Sequence, residues 1–169
     1  TVSLPILSKA FKQNNFSKIC NIQSRSIELS LLFSIPSSLG LIIASKEIVN
    51  ALFGYGAFTI DDINMTANAL KYFGFGVPAF ALIKILSNFF FARNNTRTPF
   101  YISSFIVLLN IAISVSFFEK IGFIIIPIAT SISTWIGVLI YTFLLNSRNF
   151  LLIKDYLPRN VFKIIVSSV

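Results

Sequence analysis

The sequence predicts an all-α membrane protein, a polytopic transmembrane helical bundle with four spans and the start of a fifth. Of its 169 residues, 55% are hydrophobic and 12% are charged, whereas a soluble globular chain carries about 25% charged residues. The mean hydropathy is +0.81, so most of the folded surface must face something other than water, most simply lipid. The same composition excludes a disordered chain.

Four apolar stretches with at most one charge each define the predicted spans, residues 29–45, 72–92, 98–118 and 121–147. In lipid the backbone must satisfy its own hydrogen bonds, so each stretch is expected to be helical. Residues 1–28 are expected to hold the end of a preceding helix and a cytoplasmic segment, of which 14–28 is a helix lying in the interface. Residues 148–169 are expected to form a cytoplasmic linker and the start of a further span. A first residue other than Met and the short apolar stretch 161–169 predict a piece of a longer polytopic protein.

The positive charges of the loops segregate between the two sides of the predicted membrane. The first segment, the connection 93–97 and the last segment carry ten of the fourteen Lys and Arg residues, and the other two connections carry one each. Because Lys and Arg in short loops favour the cytoplasmic side, both ends of the chain are predicted to be cytoplasmic. The net charge of +8 is thereby explained by topology, and no basic groove with interleaved aromatic residues indicates a nucleic-acid partner.

Residue counts exclude several kinds of chemistry. The chain has no histidine and a single cysteine, Cys20, so a Ser–His–Asp triad, a Cys–His pair, a His-ligated metal and an internal disulfide are impossible. No nucleotide-binding loop is present. We therefore expect neither an enzyme nor a cofactor or metal site.

Lys84 is the one charge inside a predicted span, about 13 Å from the cytoplasmic end at 1.5 Å per residue. Burial near the midplane costs about 2.5–3.5 kcal/mol, which makes an intramembrane charge a candidate for a coupling or cavity role. The alternative is that its four-carbon chain reaches to the interface or pairs with a neighbouring helix. Gly74, Gly76 and Pro78 weaken the same span, as in broken helices that line transport cavities or in a packing kink.

Three other polar motifs have structural interpretations beside functional ones. Arg93 and Arg97 hold a tight cytoplasmic turn, and they are also candidates for contact with a phosphate-bearing headgroup. Thr59 and Asp62 have the spacing of a capping box, with a cation-coupling site as the alternative. Thr98 is expected to cap the third span. Small or polar residues within the spans indicate helix packing: Ser30, Ser34, Ser38, Asn110, Ala129, Ser133 and Gly137.

Several short motifs occur in a fixed order, most densely between Gly54 and Pro99. They are GYGAFT from Gly54 to Thr59, Asp62, GVP from Gly76 to Pro78, KIL from Lys84 to Leu86, FFAR from Phe90 to Arg93, and TRTP from Thr96 to Pro99. This order resembles the MurJ (MviN) family of lipid II flippases, within the multidrug/oligosaccharidyl-lipid/polysaccharide exporter superfamily. Phe91 stands where that family commonly has Tyr, and Asn95 where it commonly has an acid.

The resemblance implies more than the residues alone indicate. Such proteins have fourteen transmembrane helices in two lobes, of which the predicted spans would be helices nine to twelve. They work by alternating access in the bacterial inner membrane and move the undecaprenyl-pyrophosphate-linked peptidoglycan precursor, lipid II, to the periplasmic leaflet for cell wall biogenesis. The implied partners are that precursor, membrane lipid and the remaining helices of the same transporter. Two alternatives stay open, another polysaccharide-lipid or drug exporter of the superfamily and a small membrane subunit that does not transport.

Overall fold

The structure is a computed structural model that describes residues 16–55 and 58–148, and the predictions for 1–15 and 149–169 lie outside it. Within the described ranges the chain forms five α-helices and no strand. The helices are α1 Phe16–Ile43, α2 Ser45–Phe53, α3 Ile60–Phe91, α4 Arg97–Ile121 and α5 Ile125–Ser147, with a 3-10 turn Gly122–Ile124 between the last two. The fold is a helical bundle, as the composition predicts.

Helix α3 lies at the centre of the bundle, with α1 on one side and α5 on the other, and α4 packs on α5. Bonds from Asn110 to Thr130 and from Tyr141 to Pro99 make α4 and α5 antiparallel. Bonds from Ser131 and Trp135 to the equivalent turns of α3 make α3 and α5 parallel. The chain therefore passes up, down, up and down.

Three helical segments are long and apolar enough to cross a membrane: Phe16–Ile43, Ile60–Phe91 and Arg97–Ser147. The last contains both α4 and α5, and since these are antiparallel it amounts to two passes. Large apolar side chains also cover the outside of the bundle, for example Phe33, Phe100 and Phe143 at 70%, 68% and 73% exposure. A surface of this kind suits lipid or further helices rather than water.

The main core joins α1, α3, α4 and α5 towards the end of the bundle where α3 finishes. Phe90 and Tyr141 are fully buried there, with ring centroids 5.9 Å apart. The other buried members are Ile27, Leu31, Ala79, Leu86, Phe89, Ala92, Ile102, Val138 and Leu145. Only Pro99 and Ile102 of α4 are buried, so α4 leaves most of its surface to the outside.

The interfacial helix predicted for 14–28 is not a separate element, because α1 runs without interruption from Phe16 to Ile43. Its first turns bury Ile19, Gln23 and Ile27, which face inward rather than a membrane surface. The charge of Glu28 ended the predicted span at residue 29, yet Glu28 lies within the same helix. Lys18 and Arg25 lie on an exposed side of that helix.

Helix α3 starts at Ile60, twelve residues before the predicted span 72–92. The Thr59 side chain accepts a hydrogen bond from the Asp62 amide, and the Asp62 carboxylate accepts one from the Thr59 amide at 3.0 Å. This capping box confirms the predicted interpretation of the pair. The first turns of α3 carry acidic and amide side chains, so a prediction based on charge assigns them to a loop. In the structure Ile63 and Ala67 pack against Val49 of α2 and hold these turns in the helix.

The turn between α3 and α4 is a Schellman motif. The Asn95 amide donates to the Phe90 carbonyl at 3.1 Å and the Asn94 amide to the Phe91 carbonyl at 3.0 Å, while Asn94 has a φ of 57°. Asn tolerates this left-handed conformation. The predicted cap Thr98 is wrong, because α4 begins at Arg97 and the Thr98 amide itself donates to Asn95 Oδ1 at 3.2 Å.

The second reversal lies at Gly122, beyond the predicted boundary between 118 and 121. Gly122 has φ 71° and ψ −150°, a region open essentially to glycine alone. Glu119 and Lys120, predicted as the turn, belong to the last turn of α4. A charge pair marks where a helix reaches the interface, whereas the glycine marks where the chain turns back.

Candidate functional site

Lys84 lies on a face of α3 that no described helix covers. Exposed Phe73, Phe80 and Phe91 lie at spacings of seven, four and seven residues along the same face, with Lys84 between the last two. This spacing places all four on one side of the helix. Among the residues that the structure describes, the Lys84 ammonium has no hydrogen-bond or ion-pair partner, so neither predicted pairing with a neighbouring helix nor burial occurs within this bundle.

Pro78 interrupts the backbone hydrogen bonds of α3. It lies ten residues after Asn68 and six before Lys84. Proline has no amide hydrogen, so the carbonyl four residues earlier, at Gly74, loses its helical donor. Ser38 of α1 replaces that donor, since its Oγ donates to the Gly74 carbonyl at 2.7 Å in a buried position. Gly74 permits this contact because a Cβ there would lie 2.8 Å from Ile42 of α1.

Two donors from α5 reach the same part of α3. Ser131 Oγ donates to the Tyr72 carbonyl at 2.7 Å, and Trp135 Nε1 donates to the Phe75 carbonyl at 3.0 Å. The backbones approach closely at Gly76, where a Cβ would lie 2.9 Å from Ser131 Oγ. Side chains of two helices therefore hydrogen-bond to three carbonyls within four residues of a third helix. We call the set Ser38, Tyr72, Gly74, Phe75, Ser131 and Trp135 the α3 bend cluster.

The basic turn lies at the end of the bundle where α3 finishes and α4 begins. Arg93 is half-buried and Arg97 is exposed, and Arg148 at the end of α5 donates to Thr98 Oγ1 at 3.4 Å. Partial burial lowers the pKa of the Arg93 guanidinium, but arginine starts so high that it remains charged at neutral pH. Three arginines thus gather at one end of the bundle.

The three predicted site residues do not form one cluster. Arg93 and Arg97 belong to the basic turn, whereas Lys84 lies about 13 Å further along α3 at 1.5 Å per residue. The alternative coupling site at Asp62 is occupied by the helix cap. The described residues hold no group of three or more Cys, Asp or Glu side chains with metal-binding geometry.

The sequence predicts only part of the α3 bend cluster. Gly74, Gly76 and Pro78 indicate a weakened helix, and Ser38 lies on a predicted packing stripe. What the sequence analysis missed is that Ser131 and Trp135 are donors to the same bend. The proline signals a replacement donor for the Gly74 carbonyl, which is Ser38, and no sequence signal indicates the bonds of Ser131 and Trp135 to Tyr72 and Phe75.

Comparison with known proteins places these features in a family. A sequence model of the family described as "Lipid II flippase MurJ" matches residues 1–169. The chain is 36% identical to the probable lipid II flippase MurJ of Rickettsia prowazekii over 85% of its residues and 28% of that protein. It is 32% identical to that of Rhizobium tropici over 99% of its residues and 31% of that protein.

A solved structure is similar throughout. The structure titled "Lipid II flippase MurJ, inward closed conformation" matches with a TM-score of 0.83 and 31% identity, covering 99% of this chain and 34% of that one. The chain therefore spans about a third of the length of the proteins it resembles.

Proposed function

The chain belongs to the lipid II flippase MurJ family, and from that membership we propose that it forms part of a transporter that moves lipid II across a bacterial inner membrane. The observation that carries this proposal is the family match over residues 1–169. It favours a lipid II flippase over another exporter of the superfamily or a small subunit that does not transport. The substrate is the undecaprenyl-pyrophosphate-linked precursor of peptidoglycan, and the remaining helices of the transporter are the implied protein partners.

Within such a transporter these helices would move as one body. The α3 bend cluster ties the weakest part of α3 to α1 and α5 by three side-chain bonds. A helix break whose free carbonyl has a donor, and which is hydrogen-bonded to two neighbouring helices, resists bending. The four long helices would accordingly form a rigid wall of one lobe, and alternating access would come from motion of this lobe against the other.

Lys84 is the residue of this chain that we propose faces the rest of the transporter. An ammonium without a partner among the described residues, on a face that carries Phe73, Phe80 and Phe91, is costly in lipid. It becomes favourable where another lobe offers an acid, water or an anionic headgroup. Arg93 and Arg97 would contact phosphate groups at the cytoplasmic surface.

The orientation that goes with this function has the basic turn and both ends of the chain in the cytoplasm. The Lys and Arg distribution of the loops supports it. The described connections are consistent with that distribution, since the turn 92–96 contains Arg93 and is followed by Arg97, whereas α2 and the 3-10 turn lie at the opposite end of the bundle.

Complementation tests the role of Lys84. A strain depleted of its own lipid II flippase would be supplied with the protein carrying Lys84→Met, which keeps the length of the side chain and removes its charge. We expect growth to fail while the membrane level of the protein stays normal. Lys71→Met is the matched control, because Lys71 is equally exposed on α3, and it should support growth.

Growth of the Lys84→Met strain at the wild-type rate would remove Lys84 from the proposed mechanism. Failure of the unchanged protein to support growth, with normal expression and with a known flippase as positive control, would count against lipid II as the substrate.

A further inference from the structure

A crevice separates α3 from α4 immediately below the basic turn. It has a volume of about 360 Å³ and is lined by Ile83, Ser87, Phe91, Thr96, Pro99, Phe100, Ser103 and Tyr141. From Thr96 to Ser103 it extends about 10 Å along α4 at 1.5 Å per residue. The two helices are joined by a tight turn yet hardly touch beyond it, and this divergence creates the crevice.

The crevice is mainly apolar, with the hydroxyl groups of Ser87, Thr96 and Ser103 in its walls, and it is open on its outer side. Phe91 and Phe100 form the open edges, at 38% and 68% exposure. Tyr141 is buried and lines the crevice, and its hydroxyl donates to the Pro99 carbonyl at 3.3 Å. The volume of the crevice lies at the lower end of the range for ligand pockets, about 300–1,000 Å³, so it suits one hydrocarbon chain rather than a whole lipid.

Arginines lie next to the crevice at the end where α3 finishes and α4 begins. Arg97 follows the lining residue Thr96 directly, Arg93 lies within the turn, and Arg148 bonds to Thr98. The described parts of α3 beyond Lys71, of α4 up to Phe118 and of α5 carry no acid. This arrangement complements a ligand that has a negatively charged group attached to an apolar chain.

We propose that this crevice is a binding site for an anionic glycerophospholipid, with one acyl chain between α3 and α4 and the phosphate beside Arg97 and Arg148. The site would fix a lipid of the surrounding leaflet at the end of the bundle. It depends on the bundle lying in a membrane and not on the proposed transport of lipid II. The groove between α3 and α5 around Trp135 is larger, about 470 Å³, but it lies away from the arginines of the basic turn.

Native mass spectrometry of the detergent-purified protein tests the site, with phosphatidylglycerol and phosphatidylcholine of the same acyl chains as probes. We expect the protein to retain phosphatidylglycerol in preference to phosphatidylcholine. Arg97→Gln should reduce that preference about fivefold, the effect of one basic residue close to an anionic surface. Lys120→Gln, an equally exposed cation at the other end of α4, should leave the preference unchanged.

Two further variants test the apolar part of the site. Ser103→Trp and Ser87→Leu fill the crevice from opposite walls, and each should reduce retention of both lipids. Ser116→Trp, exposed on the same helix away from the crevice, is the control and should bind as the unchanged protein does. Circular dichroism and the melting temperature establish whether each variant is folded. If either Ser103→Trp or Ser87→Leu does not fold, the other one provides the test.

Equal retention of the two lipids by the unchanged protein would overturn the proposal, as would unchanged retention in a folded filling variant. Displacement of phosphatidylglycerol by inorganic phosphate would also overturn it, because the turn would then bind free anions without using the crevice. Since no lipid II is present, the outcome is independent of the complementation result.

Discussion

Single side chains decide how the weakest part of α3 is held. Ser37 and Ser38 are neighbours in α1 and have the same hydroxyl, but Ser37 donates to the Phe33 carbonyl of its own helix at 2.7 Å. Ser38 donates to the carbonyl that Pro78 leaves without a helical donor. The Ser37 hydroxyl therefore donates to a carbonyl that already accepts a backbone hydrogen bond within α1. The Ser38 hydroxyl donates to a carbonyl of α3 that has lost its backbone donor.

Ser38→Ala should destabilise the bundle by about 1–3 kcal/mol, the cost of leaving a buried carbonyl unsatisfied. Ser37→Ala should change stability by less than about 0.5 kcal/mol, as an exposed substitution does. Thermal or detergent-induced unfolding followed by circular dichroism measures both. Equal melting temperatures for the two variants would show that the Gly74 carbonyl finds another donor.

Asp62 gives the start of α3 a dependence on pH. Hydrogen bonds from the Thr59 side chain and backbone lower the pKa of the Asp62 carboxyl, which lies outside the predicted span 72–92. A carboxyl with a lowered pKa in the folded state stabilises the fold fully above its ordinary pKa, and the contribution is lost as the pH falls through the lowered value. The melting temperature should therefore be higher than that of Asp62→Asn at neutral pH, and the difference should vanish as the pH falls through the lowered pKa of Asp62.

Asp61→Asn is the control for that measurement, because Asp61 occupies the same exposed turn without a role in the capping box. A difference between the unchanged protein and Asp62→Asn that persists in acid would assign the effect to side-chain shape and not to charge.

At the scale of elements, the reversal between α4 and α5 depends on one residue. The two helices are linked along their length by the bonds of Asn110 and Tyr141, but the direction in which the chain leaves α4 is set by the backbone of Gly122. Any side chain at its φ of 71° and ψ of −150° is strained, although the space around it is open.

Gly122→Ala should cost about 1–3 kcal/mol of stability through this strain. Gly40→Ala is the matched control, since Gly40 also has open space around it but lies in regular helix, where alanine gains up to about 1 kcal/mol. The two variants should therefore shift the melting temperature in opposite directions. Shifts of the same sign would show that the reversal tolerates a side chain.

At the scale of the whole molecule, the sequence determined the number and type of the long helices more securely than their ends. Runs of apolar residues predict helices because lipid leaves no other way to satisfy the backbone. Charge-based boundaries failed at α1 and α3, where Arg25 and Asp61 lie on helices that continue beyond the apolar run. Whether a charged residue ends a helix depends on tertiary packing, which local composition does not contain.

The candidate site was predicted in its parts but not in its arrangement. Lys84 was recognisable as the single charge within an apolar run, and Pro78 as a break. The position of Ser131 and Trp135 beside that break follows from α3 and α5 being parallel neighbours. That relation joins residues about 60 positions apart, and one sequence alone does not give it.

The orientation of the bundle can be measured by cysteine labelling from outside intact cells. In a Cys20→Ser background, a membrane-impermeant maleimide should react with Tyr55→Cys, which follows α2, and leave Thr96→Cys in the basic turn unlabelled. Both positions are exposed in the structure. Labelling of Thr96→Cys alone would invert the proposed orientation, and Glu119→Cys, at the same end as Tyr55, checks the result independently.

The bond partners of α3 also impose an order on how the protein is made. Ser38 is translated before α3 and is already present when Gly74 enters the bilayer, whereas Ser131 and Trp135 are translated more than fifty residues after Tyr72 and Phe75. Until then the Tyr72 and Phe75 carbonyls lack these side-chain donors from α5. In a nascent chain halted before α5, Ser38 would therefore be the one member of the cluster that bonds to the proline break of α3 from another helix.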